Sequence, residues 1–246
     1  MGYFHDICVM KVPFTFLIAG LIISLNACRD RCKTTEGSRQ RFEVPLFQAD
    51  RLILNSPAEM NIRKNDTVDG SLEILAQQEV FGDMNISTNQ KVCEINLVGC
   101  FKNNETTLID GHFQQLRGAE LNSAGYIKSS RLIKQDSVEL TNDGLGDIDL
   151  VLKSNYIEAK IASSGNILLH GETDHLLIAS LGSGEVSAFG LYADSVIIRN
   201  YGTGVIDVHA SKYLEVEFGK STTVQYRGNP GEVIVIGEGD LINANF

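Results

Sequence analysis

The chain of 246 residues carries a net charge of −10, and 43% of its residues are hydrophobic. That balance is enough to build a sizeable buried core. It argues against nucleic acid as a partner, because phosphate binding needs clustered Lys and Arg.

The first feature in chain order is a targeting segment. Lys11 is the last charge before an apolar run from Val12 to Leu25, 14 residues long. Spanning a hydrocarbon core takes roughly 20 residues, so the run is too short for a transmembrane helix. A polar start, a short apolar core and a small residue before a cut site predict a secretory signal. Leu25-Asn26-Ala27-Cys28 resembles the lipobox of bacterial lipoproteins. The resemblance implies a signal peptide over 1–27, lipidation of Cys28 at the mature N-terminus, and attachment to the cell envelope as an outer-membrane lipoprotein. An ordinary secretory signal or an uncleaved anchor are the alternatives. Residues 28–43, rich in Arg, Lys, Thr, Ser, Gln and Gly, are predicted to be a flexible tether.

Export agrees with a disulfide in the folded part, where Cys93 and Cys100 are the candidate pair. Their odd spacing places them on opposite faces of any single strand, so a bridge requires a bend between them. No His or second Cys pair lies at zinc-ligand spacing, and no cofactor motif is present.

Candidate strands at Leu72-Glu73-Ile74, Met84-Asn85-Ile86 and Cys93 to Val98 precede a regular repeat. Its corner reads Gly or Ser, any residue, Gly, a polar residue, an aliphatic one. Copies fall at Gly144-Leu145-Gly146, Ser163-Ser164-Gly165, Gly182-Ser183-Gly184 and Gly202-Thr203-Gly204, with a degraded one at Gly219-Lys220-Ser221 and a last at Gly237-Glu238-Gly239. The third positions are spaced by 19, 19, 20, 17 and 18 residues.

Between corners, apolar residues alternate with polar ones, as in Ile157, Ala159, Ile161 and again Leu214, Val216, Phe218. Period two with β-branched enrichment means strands. Each repeat then holds two short strands joined at a glycine pair, where Gly is expected because it reaches positive φ and lets backbones approach. One such unit cannot bury its own apolar face, whereas stacked units can. The prediction is an all-β parallel β-helix over 44–246, about 19 residues per rung, regular from about 140 and irregular or cap-like before. An antiparallel sandwich or barrel is the competitor. Open solenoid ends need covering. The irregular first half is expected to cap one end, and Asn243 and Asn245 to blunt the other unless that end is a dimerisation surface.

These repeats, with the closing run Tyr213-Leu214-Glu215-Val216, Val224-Gln225-Tyr226-Arg227-Gly228-Asn229-Pro230 and Gly237-Glu238-Gly239-Asp240, resemble the head GIN domain family of auto-transporter adhesins. The resemblance covers residues 44–246. It implies a right-handed β-helix at the cell surface and supplies no catalytic residue.

Chemistry is sparse. Gly144-Leu145-Gly146-Asp147 looks like a calcium-binding β-helix repeat. Calcium needs its oxygens to recur on stacked rungs, and here the position runs Asp147, Asn166, Glu185, Val205, Thr222, Asp240. The carboxylates Asp147, Asp149, Glu158, Glu172, Glu185, Asp194 and Asp207 would support glycan cleavage only if two faced each other at a defined separation. His112, His170, His175 and His209 fall at turns or strand ends. Tyr156, Phe189, Tyr192, Tyr201, Tyr213 and Tyr226 recur about once per rung, as packing or as a glycan-binding face. The sequence therefore predicts a non-enzymatic envelope module for adhesion or surface binding, with a membrane through its lipid anchor and a glycan or protein surface as partners. A glycan-processing enzyme or accessory is the alternative.

Overall fold

The computed structural model describes residues 32–46, 48–64 and 70–245; the predicted signal segment and Cys28 lie outside the described residues. The fold is an all-β solenoid of about 7 turns with parallel bridges about 19 residues apart. Among the described residues, no helix is long and apolar enough to cross a membrane.

The first half contains β1 (Lys33–Thr34), β2 (Gln40–Leu46), β3 (Arg51–Asn55), β4 (Glu59–Lys64), β5 (Gly70–Ala76), a short helix α1 (Gln78–Gly82), β6 (Met84–Asn89), β7 (Val92–Leu97), β8 (Phe101–Lys102), β9 (Leu108–Phe113), β10 (Gly118–Leu121) and β11 (Tyr126–Lys128). The regular half contains β12 (Ile133–Asn142), β13 (Asp147–Ile161), β14 (Ile167–Ser180), β15 (Val186–Asn200), β16 (Ile206–Phe218), β17 (Thr223–Arg227), β18 (Glu232–Ile236) and β19 (Asp240–Asn243).

Interior residues stack in columns through both halves. One column runs Ile109, Met60, Ile127, Ile148, Ile167, Val186, Ile206, Val224, Leu241. A facing column runs Cys93, Leu52, Ala119, Leu140, Ala159, Ile178, Ile198, Val216, Val235. These apolar stacks supply the burial that no single rung has.

The rungs of the first half do not stack in chain order. β3 lies between β7 and β10, and β4 between β9 and β11, so the rung made last of the three sits next to the regular half. Antiparallel strands close the far end: β5 on β9, β6 on β7, and β2 on β5. Phe42 of β2 stacks on Phe81 of α1 with ring centroids 3.8 Å apart.

Two expectations are corrected here. The predicted tether is not a free linker along its whole length. Residues 33–34 pair with β8, residues 40–46 pair with β5, and Cys32 is bridged to Cys100. The predicted Cys93–Cys100 bridge is also replaced by this Cys32–Cys100 disulfide. Cys93 points into the core, wholly buried, and burial pushes its thiol up to about 12. Cys100 lies outside, beyond the Val98–Gly99 bend, where the Lys33 amide donates to its carbonyl at 2.8 Å.

The corners follow the predicted spacing, but for one physical reason rather than two. Of Gly144, Gly146, Gly165, Gly182, Gly184, Gly202, Gly204, Gly237 and Gly239, only Gly237 has positive φ, at 87°. At the others it is space that is restricted. A Cβ on Gly165 would lie 2.0 Å from the Gly146 carbonyl oxygen, and one on Gly204 would lie 1.8 Å from that of Gly184. Buried Asn142 braces its corner, accepting from the Gly144 amide and donating to the carbonyls of Gly146 and Asn166. Asn200 accepts from Gly202 in the same way.

Candidate functional site

Each long strand has a second corner that the glycine pattern does not mark. Inward positions in β13 are even-numbered through Ser154 and odd-numbered from Ile157. The parity changes because Asn155 and Tyr156 both face out, and Asp174-His175 and Asp194-Ser195 do the same on later rungs. A hydroxyl stabilises the first two of these bends, while Ala193 takes that position on β15. Ser154 donates to the carbonyl of Tyr156 at 2.9 Å, and Thr173 to that of His175 at 3.1 Å.

Along this corner runs a groove made of adjoining depressions. One of about 280 Å³ is lined by Asn155, Asp174, Tyr192, Asp194 and Ser211, among others. It shares Lys153, Ser154 and Asn155 with a second of about 340 Å³. That one shares Gln135 and Asp136 with a third of about 350 Å³, where Arg51 and Arg117 also lie. The groove therefore crosses several rungs. Tyr192 is 63% exposed and its ring leans on His209, with centroids 4.5 Å apart. Burial, followed by the nearby Arg227, lowers the His209 pKa. Arg227 itself lies over the Phe189 ring at 4.1 Å. An aromatic face beside amide, hydroxyl and carboxylate groups suits a polar ligand with apolar patches.

Most acids named from sequence have partners within the fold. Asp147 accepts from the amide and the side chain of Asn166, both at 2.9 Å, and Asn166 in turn accepts from the Glu185 amide. That ladder occupies the position resembling a calcium repeat. Asp149 accepts from the Tyr126 hydroxyl, Glu158 pairs with Lys160, and Glu172 with Lys153. Asp194 is held by Lys212 and Ser211, which lower its pKa. Asp207 differs. One of its carboxylate oxygens is buried without a protein partner, and burial, then Glu185, raise its pKa. Tyr201 and Tyr213 donate to Glu217 and Glu215, so these rings form part of polar ladders on the solenoid sides. His170 lies 3.8 Å from Asp149, and His112 sits on β9 in the first half.

Sequence reasoning missed the groove, because Lys134, Lys153, Asn155 and Asp174 form no contiguous motif. The parity switch between Ser154 and Ile157 was the available signal.

The family model described as putative auto-transporter adhesin, head GIN domain, matches residues 50–230. The chain belongs to this family. No curated protein matches it. Among solved structures it is similar to a putative adhesin from Bacteroides fragilis, with 14% identity, a TM-score of 0.79, and coverage of 85% of this chain and 97% of that one. A putative lipid binding protein from Parabacteroides distasonis shares 15% identity at a TM-score of 0.67, covering 86% and 99%. A putative adhesin from the same species shares 17% at 0.64, covering 85% and 99%. At such identities the likeness establishes the fold, and family membership suggests binding at the cell envelope or surface.

Proposed function

We propose that this head GIN domain protein is a non-enzymatic binding module of the cell envelope. Cys28 attaches it to the membrane as an outer-membrane lipoprotein, and its serine–threonine corner groove takes an extended polar ligand such as a surface glycan. The observation that carries the reading is the continuity of the groove. Depressions sharing residues across successive rungs suit a chain-like ligand better than a small substrate. A rigid solenoid holds such a row of contacts at fixed spacing with little ordering cost on binding.

Two experiments test the two parts. Metabolic palmitate labelling of wild type and Cys28→Ala should show label in the envelope fraction only for wild type; no label in either removes the anchor. Tyr192→Ala, Asn155→Ala and Asp174→Ala displayed on cells should reduce adhesion to glycan-coated surfaces while leaving surface abundance unchanged. Unchanged adhesion in all three would show that the groove is not the binding surface.

One observation favours glycan cleavage, the Asp207 carboxylate with one oxygen buried and without a protein partner, whose pKa burial and then Glu185 raise. Release of new reducing ends from a polysaccharide, abolished by Asp207→Asn, would replace the binding reading.

A further inference from the structure

One stretch of the groove differs from the rest of the molecule in charge. In a chain of net charge −10, three lysines line a single depression: Lys64, Lys134 and Lys153, with Gln135, Asp136, Ser154 and Asn155. Lys134 and Lys153 are direct register partners on β12 and β13. Like charges facing one another on a ladder are unfavourable unless something compensates them. Lys153 pairs with Glu172 on the next rung, and Lys64 donates to the Lys134 carbonyl, so the lysines are oriented rather than splayed apart. Beyond Gln135 the groove continues to Arg51 and Arg117, with Glu139 paired to Arg51.

Gln135 stands at the register position of the inward-facing Ser154, and its Nε2 is buried without an acceptor among the described residues, so that donor is not open to a ligand in the groove. The positive charge of this stretch comes from its ammonium groups, and the chemistry that answers a cluster of ammonium donors is an oxyanion.

We propose that this stretch is an oxyanion subsite for an acidic polysaccharide, with Lys134 and Lys153 supplying charge to a carboxylate or sulfate oxygen and Lys64 flanking them. The inference rests on the groove being the binding surface. Continuity favours a polymer. A chain seated on the lysines runs on past Asn155 to the exposed Tyr192 ring, which would stack with the apolar face of a sugar, and Glu172, Asp174 and Asp194 along that stretch favour uncharged sugar units there. A lipid headgroup fits less well, because none of the large exposed apolar side chains lines the lysine stretch to accompany acyl chains. Asp136 in the same depression favours spaced charges, one per sugar repeat, over a dense polyphosphate.

The test uses the whole chain carrying Cys28→Ala, with biolayer interferometry on immobilised polygalacturonate and chondroitin sulfate. Neutral dextran and phosphatidylglycerol vesicles are the comparisons. The proposal expects polyanion binding that weakens with added salt. It expects the Lys134→Gln, Lys153→Gln double variant to lose about tenfold in affinity at unchanged melting temperature. Polyanion binding that the double variant leaves intact overturns the subsite. Binding to dextran alone, lost in Tyr192→Ala, overturns the subsite and keeps the groove. Binding to vesicles but to no polysaccharide overturns the subsite and assigns the lysines to a membrane surface. No binding to any probe also overturns it, and the cell-adhesion assay then decides the groove separately.

Discussion

The two ends of the solenoid solve the same problem differently. At one end the apolar columns run under antiparallel strands β5 and β6, with β2 pairing β5 and a disulfide holding β1 beside β8. At the other end no strand among the described residues stacks on the last rung. Val233 and Val235 occupy the same interior columns as Leu214 and Val216, yet they are 42% and 48% exposed where Leu214 and Val216 are wholly buried. Asn243 and Asn245 bond back to Tyr226 and Gly228, tying down the final residues without covering the valines. An interior position in a repeat protein thus gains its burial from the next rung, and identical sequence logic gives different energetics at the last turn.

That contrast can be broken at the corners first. Gly204→Ala places a Cβ against the stacked Gly184 backbone and should cost more than about 4 kcal/mol in denaturant unfolding, the range of exceptional single changes. Gly231→Ala in the last rung meets only the Lys212 carbonyl oxygen at 3.7 Å and should be neutral or mildly stabilising in the same assay.

The closed end is tested by Cys32→Ser. It opens a loop with a sequence separation of 68 residues and should lower stability by up to about 4 kcal/mol. Hydrogen exchange should quicken first in β1 and β8. An equal acceleration throughout the solenoid would show that the bridge supports the whole stack rather than the closed end.

Within one interior column, Ile198→Ala should cost about 3 kcal/mol and Val235→Ala less than about 1, since only the former leaves a cavity. Equal costs measured by thermal unfolding would mean that the last rung is covered in solution.

The smallest effect concerns Asp207. Its folded pKa is raised, so the native state binds the proton more tightly than the unfolded chain and stability is lost as pH rises through the folded value. Asp207→Asn should raise the melting temperature slightly at pH 7, by a fraction of a kcal/mol after solvent screening. The advantage should vanish below the ordinary carboxylate value of 3.8.

Much of the regular half was legible because a period of two and a corner every 19 residues or so record the same geometry twice. The glycines of those corners were readable as spacing, although φ was only part of the expected reason. Positions such as Gly165 and Gly204 exclude a side chain because another rung's carbonyl occupies the space. The first half was harder. Its strands alternate, as Leu72-Glu73-Ile74 shows, but alternation does not say whether a strand continues the helix or folds back, and β5 folds back. The disulfide was misassigned for a related reason. Cys93 belongs to an interior column, and Cys32 meets Cys100 only through pairing across 68 residues.

By itself the sequence determined the all-β stack, the corner spacing and the family, because each is written in local order or periodicity. Only the tertiary structure decided the order in which the first rungs stack, the partner of Cys100, which end is closed, and the groove that gathers Lys64, Lys134, Lys153 and Tyr192. Those features join residues from separate turns, and backbone pairing between rungs, rather than neighbourhood along the chain, brings them together.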